Sequence, residues 1–196
     1  MSETHRMRDG SSVTIEPMQT SDQADVAALL RSVPENDLLF VGFDIRDDSV
    51  IRSWTQSTDR QSVGAVARRD GTLLGFTVLS RDRAPWKRHV GSVLVVVAPA
   101  ARGLGLGTLL VRKTILLAGE LGLEKIAARM VVEDRDTVRV FEKLGFRQEG
   151  VLLDHAKASD GTLYDIAYMG LMVKKYRDAI EAAGNHIDLT RKKTTR

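Results

Sequence analysis

The stretch from Val95 to Leu110, VVVAPAARGLGLGTLL, controls the reading of this chain. A valine run of buried-strand type passes Pro99 and enters a loop holding Gly103, Leu104, Gly105, Leu106 and Gly107, and helical spacing begins directly after it at Thr108. Glycine has no Cβ, so alternate glycines let backbone N–H groups turn toward one point, and a helix start adds partial positive charge there. Arg102 places a fixed cation beside them. The place suits a phosphate. It matches neither common phosphate loop: the dinucleotide pattern G-x-G-x-x-G needs glycine where Thr108 stands, and the P-loop needs Gly-Lys-Ser/Thr. A tight strand-to-helix turn uses glycines as well, so the neighbouring segments have to discriminate.

On the N-terminal side, Val13–Met18 alternates like a strand, and Ser21-Asp22 can cap a helix over DQADVAALLRSV. Asp47-Asp48 can cap a second helix through Trp54. Gln61–Arg69 and Thr72–Arg83 read as strands joined at Asp70-Gly71, a hairpin signal, and His89–Val97 is the valine strand itself. On the C-terminal side come the helix TLLVRKTILLAGELG, a strand Lys125–Val132, a helix DRDTVRVFEKLG and two strands, Phe146–Ala158 and Leu163–Val173. The last helix is KKYRDAIEAAG. The expected fold is a single α/β domain over residues 1–184, with a mixed sheet of about seven strands flanked by helices, followed by a basic, disordered tail over 185–196.

The chain has 196 residues, 43% hydrophobic and 28% charged, which is ordinary for one cored globular domain. The absence of cysteine removes disulfides, thiolate metal sites and a cysteine nucleophile. The uncharged run His89–Ala101 is too short to span a bilayer, and MSETHRMRDGSS lacks the apolar run of a signal peptide, so a cytoplasmic location and no membrane partner are expected. Arg191, Lys192, Lys193 and Arg196 against Asp188 account for the whole net charge of +3. That end reads as solvated, and nucleic-acid binding is not expected from it.

The loop and its flanks resemble the GNAT superfamily of N-acetyltransferases, whose acyl-CoA signature is Arg/Gln-x-x-Gly-x-Gly/Ala after a hydrophobic strand. Arg102, Gly105 and Gly107 fill it. DRDTVRVFEKLGF is similar to that superfamily's Asn-x-x-Ala-x-x-x-Tyr-x-x-x-Gly-Phe segment, and EGVLLDHAKASDGTLYDIAYMGL to the closing hairpin of its ribosomal-protein and small-amine acetyltransferases. The resemblance implies a mixed, mostly antiparallel sheet and acetyl-CoA as cosubstrate, with no metal. It also implies that the backbone of Val95, Val96 and Val97 pairs with the pantetheine arm, that Arg102–Thr108 cradles the pyrophosphate, and that Asp134 and Phe141 lie beside the cofactor.

Acetyl transfer to an amine needs a neutral amine, a stabilised oxyanion and a leaving thiolate. The superfamily's usual tyrosine acid falls at Phe141 and its usual glutamate base at Ser92, so both customary groups are absent. An alkyl thiol of pKa about 8.5 can leave without full protonation, whereas an amine of pKa about 10.4 needs desolvation or a water-linked base. Glu133 and a water held by Ser92 are the catalytic candidates, with His155 and Tyr164 able to reach in from the last hairpin. Glu133 also fits a solvated loop carboxylate, and Asp134 equally fits a helix cap. Glu35, Asp37, Asp44, Asp47 and Asp48 supply negative charge for a cationic acceptor, although helix caps explain some of them.

The expected function is direct acetyl transfer from acetyl-CoA to a primary amine of a small molecule or amino acid. A protein Nα- or Nε-lysine acetyltransferase and a non-catalytic acyl-CoA sensor are the alternatives. The sequence leaves a homodimer open.

Overall fold

Two turns, Asp70-Gly71 and the glycine loop after Val97, bracket the central strands of the sheet. The computed structural model describes residues 2–41, 44, 45, 47–56, 61–82 and 84–182. Its strands are β1 (Glu3–Arg6), β2 (Ser12–Pro17), β3 (Ser62–Arg69), β4 (Thr72–Arg81), β5 (Val90–Val97), β6 (Lys125–Val131), β7 (Arg147–Lys157) and β8 (Leu163–Met172). The helices are α1 (Gln23–Ser32), α2 (Asp48–Thr55), α3 (Leu106–Glu120), α4 (Arg135–Lys143) and α5 (Val173–Ala182). The strands form one sheet in the order β1-β2-β3-β4-β5-β6-β8-β7, and all neighbours are antiparallel except β5 and β6. The 185–196 tail lies outside the described residues.

Strand alternation sends side chains to two helical layers. From β5, Leu94 and Val96 join Phe76, Val78 and Trp54 under α1 and α2. Val93 and Val95 face the other way, toward Val111, Ile115 and Ala118 of α3 and Phe141 of α4. Each such Leu, Ile, Val or Phe buried fully contributes about 1.5 to 3 kcal/mol of transfer free energy. No helix among the described residues is long and apolar enough to cross a membrane.

The sheet has eight strands where about seven are expected, the additional one being β1. ETHR carries no apolar alternation and so gives no strand signal. It pairs because Gly10, at φ 83°, turns the chain back, with Met7 N–H donating to the Ser11 carbonyl at 2.8 Å. Glu3 then reaches Lys113 of α3 at 2.8 Å. The Lys113 hydrogen bond holds the Glu3 carboxyl below its ordinary 4.5, against an opposing effect of burial. A lowered carboxylate pKa contributes stability above the unfolded value that is lost as pH falls through the folded one. Glu3→Gln is therefore expected to lower the melting temperature at neutral pH, by the equivalent of about 0.5 kcal/mol for a pair whose carboxylate is 42% exposed. Melts repeated at about pH 3 should show that difference disappear.

α3 begins at Leu106, so Gly107 lies in its first turn rather than in the loop.

Candidate functional site

The parallel pairing of β5 with β6 is confined to Val90–Ser92 against Lys125–Ala127. Beyond it β5 stays with β4 as far as Val97, and β6 stays with β8 as far as Val131. Each strand follows its antiparallel partner, so the two part like a fork. Backbone groups along Val93–Val97 that point away from β4 consequently have no strand opposite them. Alternate residues of a strand direct N–H groups to opposite sides, so Val95, Val96 and Val97 offer one set of N–H groups to the fork.

At the open end of the fork the chain makes a short 3-10 turn over Pro99–Ala101 and enters the glycine loop. Gly103 and Gly105 have φ of 74° and 89°, values that side-chain-bearing residues rarely adopt, and Gly105 is the N-cap of α3. Gly107 has ordinary helical geometry, and its missing side chain leaves space toward Val97. Among the described residues the N–H groups of Gly103, Leu104 and Gly105 meet no protein acceptor. Loop and helix start together present an array of donors.

Arg102 is engaged. Its Nη2 lies 2.7 Å from Asp37 Oδ2, in the segment after α1. Asp37 stands in a 3-10 turn, Glu35–Leu38, whose Glu35 and Leu38 line an open pocket of about 380 Å³. Leu39, Phe40, Val41, Asp44 and Ile45 continue that wall, while Arg129 of β6, His155 and Lys157 of β7 and Ile166 of β8 form the other side. Arg129 stands over the Tyr168 ring, 5.9 Å from its centroid, which fixes the guanidinium on this face. Arg129 is two residues beyond Ala127, so the pocket starts roughly 7 Å past the closed end of the fork.

The acidic residues of the segment after α1 separate by task. Glu35 and Asp44 line the pocket, Asp37 holds Arg102, and Asp47 caps α2 by accepting from Ser49 N–H at 2.7 Å. Hydrogen bonding from the Ser49 side chain, and next from its backbone N–H, keeps the Asp47 carboxyl below the usual range. Asp48 opens α2.

The other candidates are dispersed. Ser92 is exposed at the closed end of the fork, opposite Ala127. Glu133 is exposed, two residues beyond the end of β6. Asp134 caps α4, accepting from Thr137 N–H at 3.0 Å and from its hydroxyl at 2.6 Å. Phe141 is a core residue, edge-to-face with Phe146 at 4.9 Å between centroids. His155 lines the pocket.

Two residues escape the sequence reading. Arg129 alternates with Ala128 and Met130, both buried toward α3 and α4, so strand period alone could have placed it on the opposite face. Arg8, which reaches the glycine loop from the β1–β2 turn, has no sequence signal.

Residues 30–146 match the model of the acetyltransferase (GNAT) family, and the chain belongs to that family. YwnH of Bacillus subtilis, described as a putative phosphinothricin acetyltransferase, is 28% identical over 86 residues, or 44% of this chain and 52% of that one. The chain thus spans about half the length of this curated relative. A GCN5-related N-acetyltransferase from Kribbella flavida superposes with a TM-score of 0.73 at 25% identity, over 82% of this chain and 97% of that one. The yncA structure from Salmonella typhimurium, which contains its cofactor acetyl-CoA, gives 0.72 at 20% identity over 83% and 95% of the two chains.

An acyl-CoA fits what these residues offer. The donor array of the glycine loop suits a pyrophosphate, and the unpaired edge of β5 suits an amide-bearing arm lying along it like an added strand.

Proposed function

We propose that this acetyltransferase moves an acetyl group from acetyl-CoA directly to the amine of a small, amino-acid-like acceptor. The observation that carries the reading is the pocket beside the fork, which sets carboxylates and cations on facing walls. Glu35 and Asp44 attract an ammonium group, while Arg129, His155 and Lys157 suit an acid group on the same molecule. Its volume of about 380 Å³ suits a small molecule.

When bound, acetyl-CoA supplies the activated acetyl thioester. The loop from Arg102 through Gly103, Leu104, Gly105, Leu106 and Gly107 to Thr108 holds its pyrophosphate, and the edge of Val95, Val96 and Val97 aligns the pantetheine arm. One of those N–H groups polarises the acetyl carbonyl. Asp134 supports this arrangement by starting α4, and Phe141 gives its cofactor-facing side an apolar character without a hydroxyl. The amine loses its proton to a water held by Ser92 or to Glu133. The variant that lowers turnover at neutral pH, Ser92→Ala or Glu133→Gln, identifies which.

A screen of amines, amino acids and peptides for CoA release tests the reading. Amino acids are expected to support turnover, and Arg129→Met should raise their KM about tenfold or more while leaving that of acetyl-CoA in place. Turnover with peptides alone would overturn the small-acceptor reading, and acetyl-CoA binding without any turnover would favour a sensor.

A further inference from the structure

Arg8 lies in the turn between β1 and β2, far in sequence from the glycine loop, yet it touches that loop three times. Its backbone N–H donates to the Leu104 carbonyl at 3.0 Å, and its Nη1 donates to the Gly103 carbonyl at 3.3 Å. Its stem runs past Gly105, with Cγ and Nε each 3.6 Å from where a Cβ would stand. The hairpin bearing Arg8 is itself anchored, since Glu3 at its other end pairs with Lys113 of α3.

Peptide geometry turns these contacts into a statement about the opposite side of the loop. In a trans peptide the C=O and N–H point in opposite directions. The Gly103 carbonyl shares its peptide with Leu104 N–H, and the Leu104 carbonyl shares its peptide with Gly105 N–H. With both carbonyls held toward Arg8, both N–H groups face away from it. A cation at a carbonyl oxygen also polarises the peptide and strengthens its N–H as a donor. Among the described residues these two N–H groups have no protein acceptor, and Arg8 has no carboxylate within ion-pair distance. Arg102, by contrast, is held by Asp37. A loop with two glycines at positive φ is costly to order, so bracing it beforehand lowers the cost of binding.

We propose that Arg8 is a positioning residue for the cofactor loop: it braces the Gly103-Leu104 and Leu104-Gly105 peptides from behind, so that their N–H groups face the pyrophosphate of acetyl-CoA. The proposal rests on the reading that this loop binds that group. Arg8 acts through the loop and not on the reacting atoms.

Arg8→Met keeps the stem and the backbone N–H and removes the guanidinium. Calorimetry on the full chain should show CoA and ADP affinities falling by the same factor, roughly 3- to 10-fold, with partial recovery in Arg8→Lys. Amide exchange at Arg8, whose N–H donates to the Leu104 carbonyl at 3.0 Å, should quicken in Arg8→Met as the loop loosens. Turnover of S-acetylpantetheine, which carries no pyrophosphate, should keep its kcat/KM. Unchanged CoA affinity in folded Arg8→Met overturns the proposal, as does an equal loss with S-acetylpantetheine, which would make the residue a general stabiliser. A wild-type protein that binds no CoA overturns the reading of the loop itself, and the proposal with it.

Discussion

Gly105→Val is expected to abolish measurable CoA binding, a loss of about 100-fold or more, while the sheet still folds. Gly105 sits at φ 89° as the N-cap of α3. A β-branched residue held there carries strain of about 1 to 3 kcal/mol, and the backbone can relieve it only by rotating the peptides that present the loop's N–H groups. The new side chain would also project toward the stem of Arg8, already in contact distance of a Cβ. Strain relief and pyrophosphate binding thus demand different loop conformations. Calorimetry with CoA and a urea titration separate the two effects. Gly107→Ala is the control for folding, because Gly107 is helical and its Cβ would meet only Val97 Cγ2 at 3.9 Å. CoA affinity at the wild-type level in folded Gly105→Val would return the glycine loop to a packing role.

Arg68→Met should cost about 3 kcal/mol of stability and leave the glycine loop chemically unchanged. Arg68, on β3, is largely buried and lies 2.7 Å from both Asp22 and Asp25 and 3.7 Å from Glu16. It also donates to the Gly71 carbonyl at 2.9 Å. Burial by itself would lower the guanidinium pKa, yet hydrogen bonds to Asp22 and Asp25 raise it overall. Asp22 is 7% exposed and accepts from Gln19 N–H at 2.7 Å, so removal of Arg68 strands a buried carboxylate at the entrance to α1. Urea unfolding reads the loss. In the double variant Arg68→Met with Asp22→Asn, part of the stability should return, because the stranded charge is then gone. A single-variant loss below about 1 kcal/mol would mean that Asp22 regains water on its own.

The succession of elements was legible in the sequence wherever local physics decides it. Strand alternation, the Asp70-Gly71 turn, the cap at Asp47 and the glycine-rich start of α3 act within a few residues, and each is written there. The tight turn of the glycine loop was legible for the same reason, since positive φ at Gly103 and Gly105 is a local property. Tertiary structure alone decided the rest. β1 has no strand pattern of its own and exists through β2 and Lys113. The fork depends on which neighbour each of β5 and β6 follows, and pairing across a sheet is not encoded in either strand by itself. The acidic segment after α1 announced its charge but not its division of labour, because only folding brings Asp37 to Arg102 and sets Glu35 and Asp44 facing Arg129. Arg8 reaches Gly103 across 95 residues of chain. The order of residues along the chain thus specifies the elements and the glycine turn, whereas the pocket beside the fork and the contacts of Arg8 with the loop arise between distant segments, which meet only when the common hydrophobic core forms.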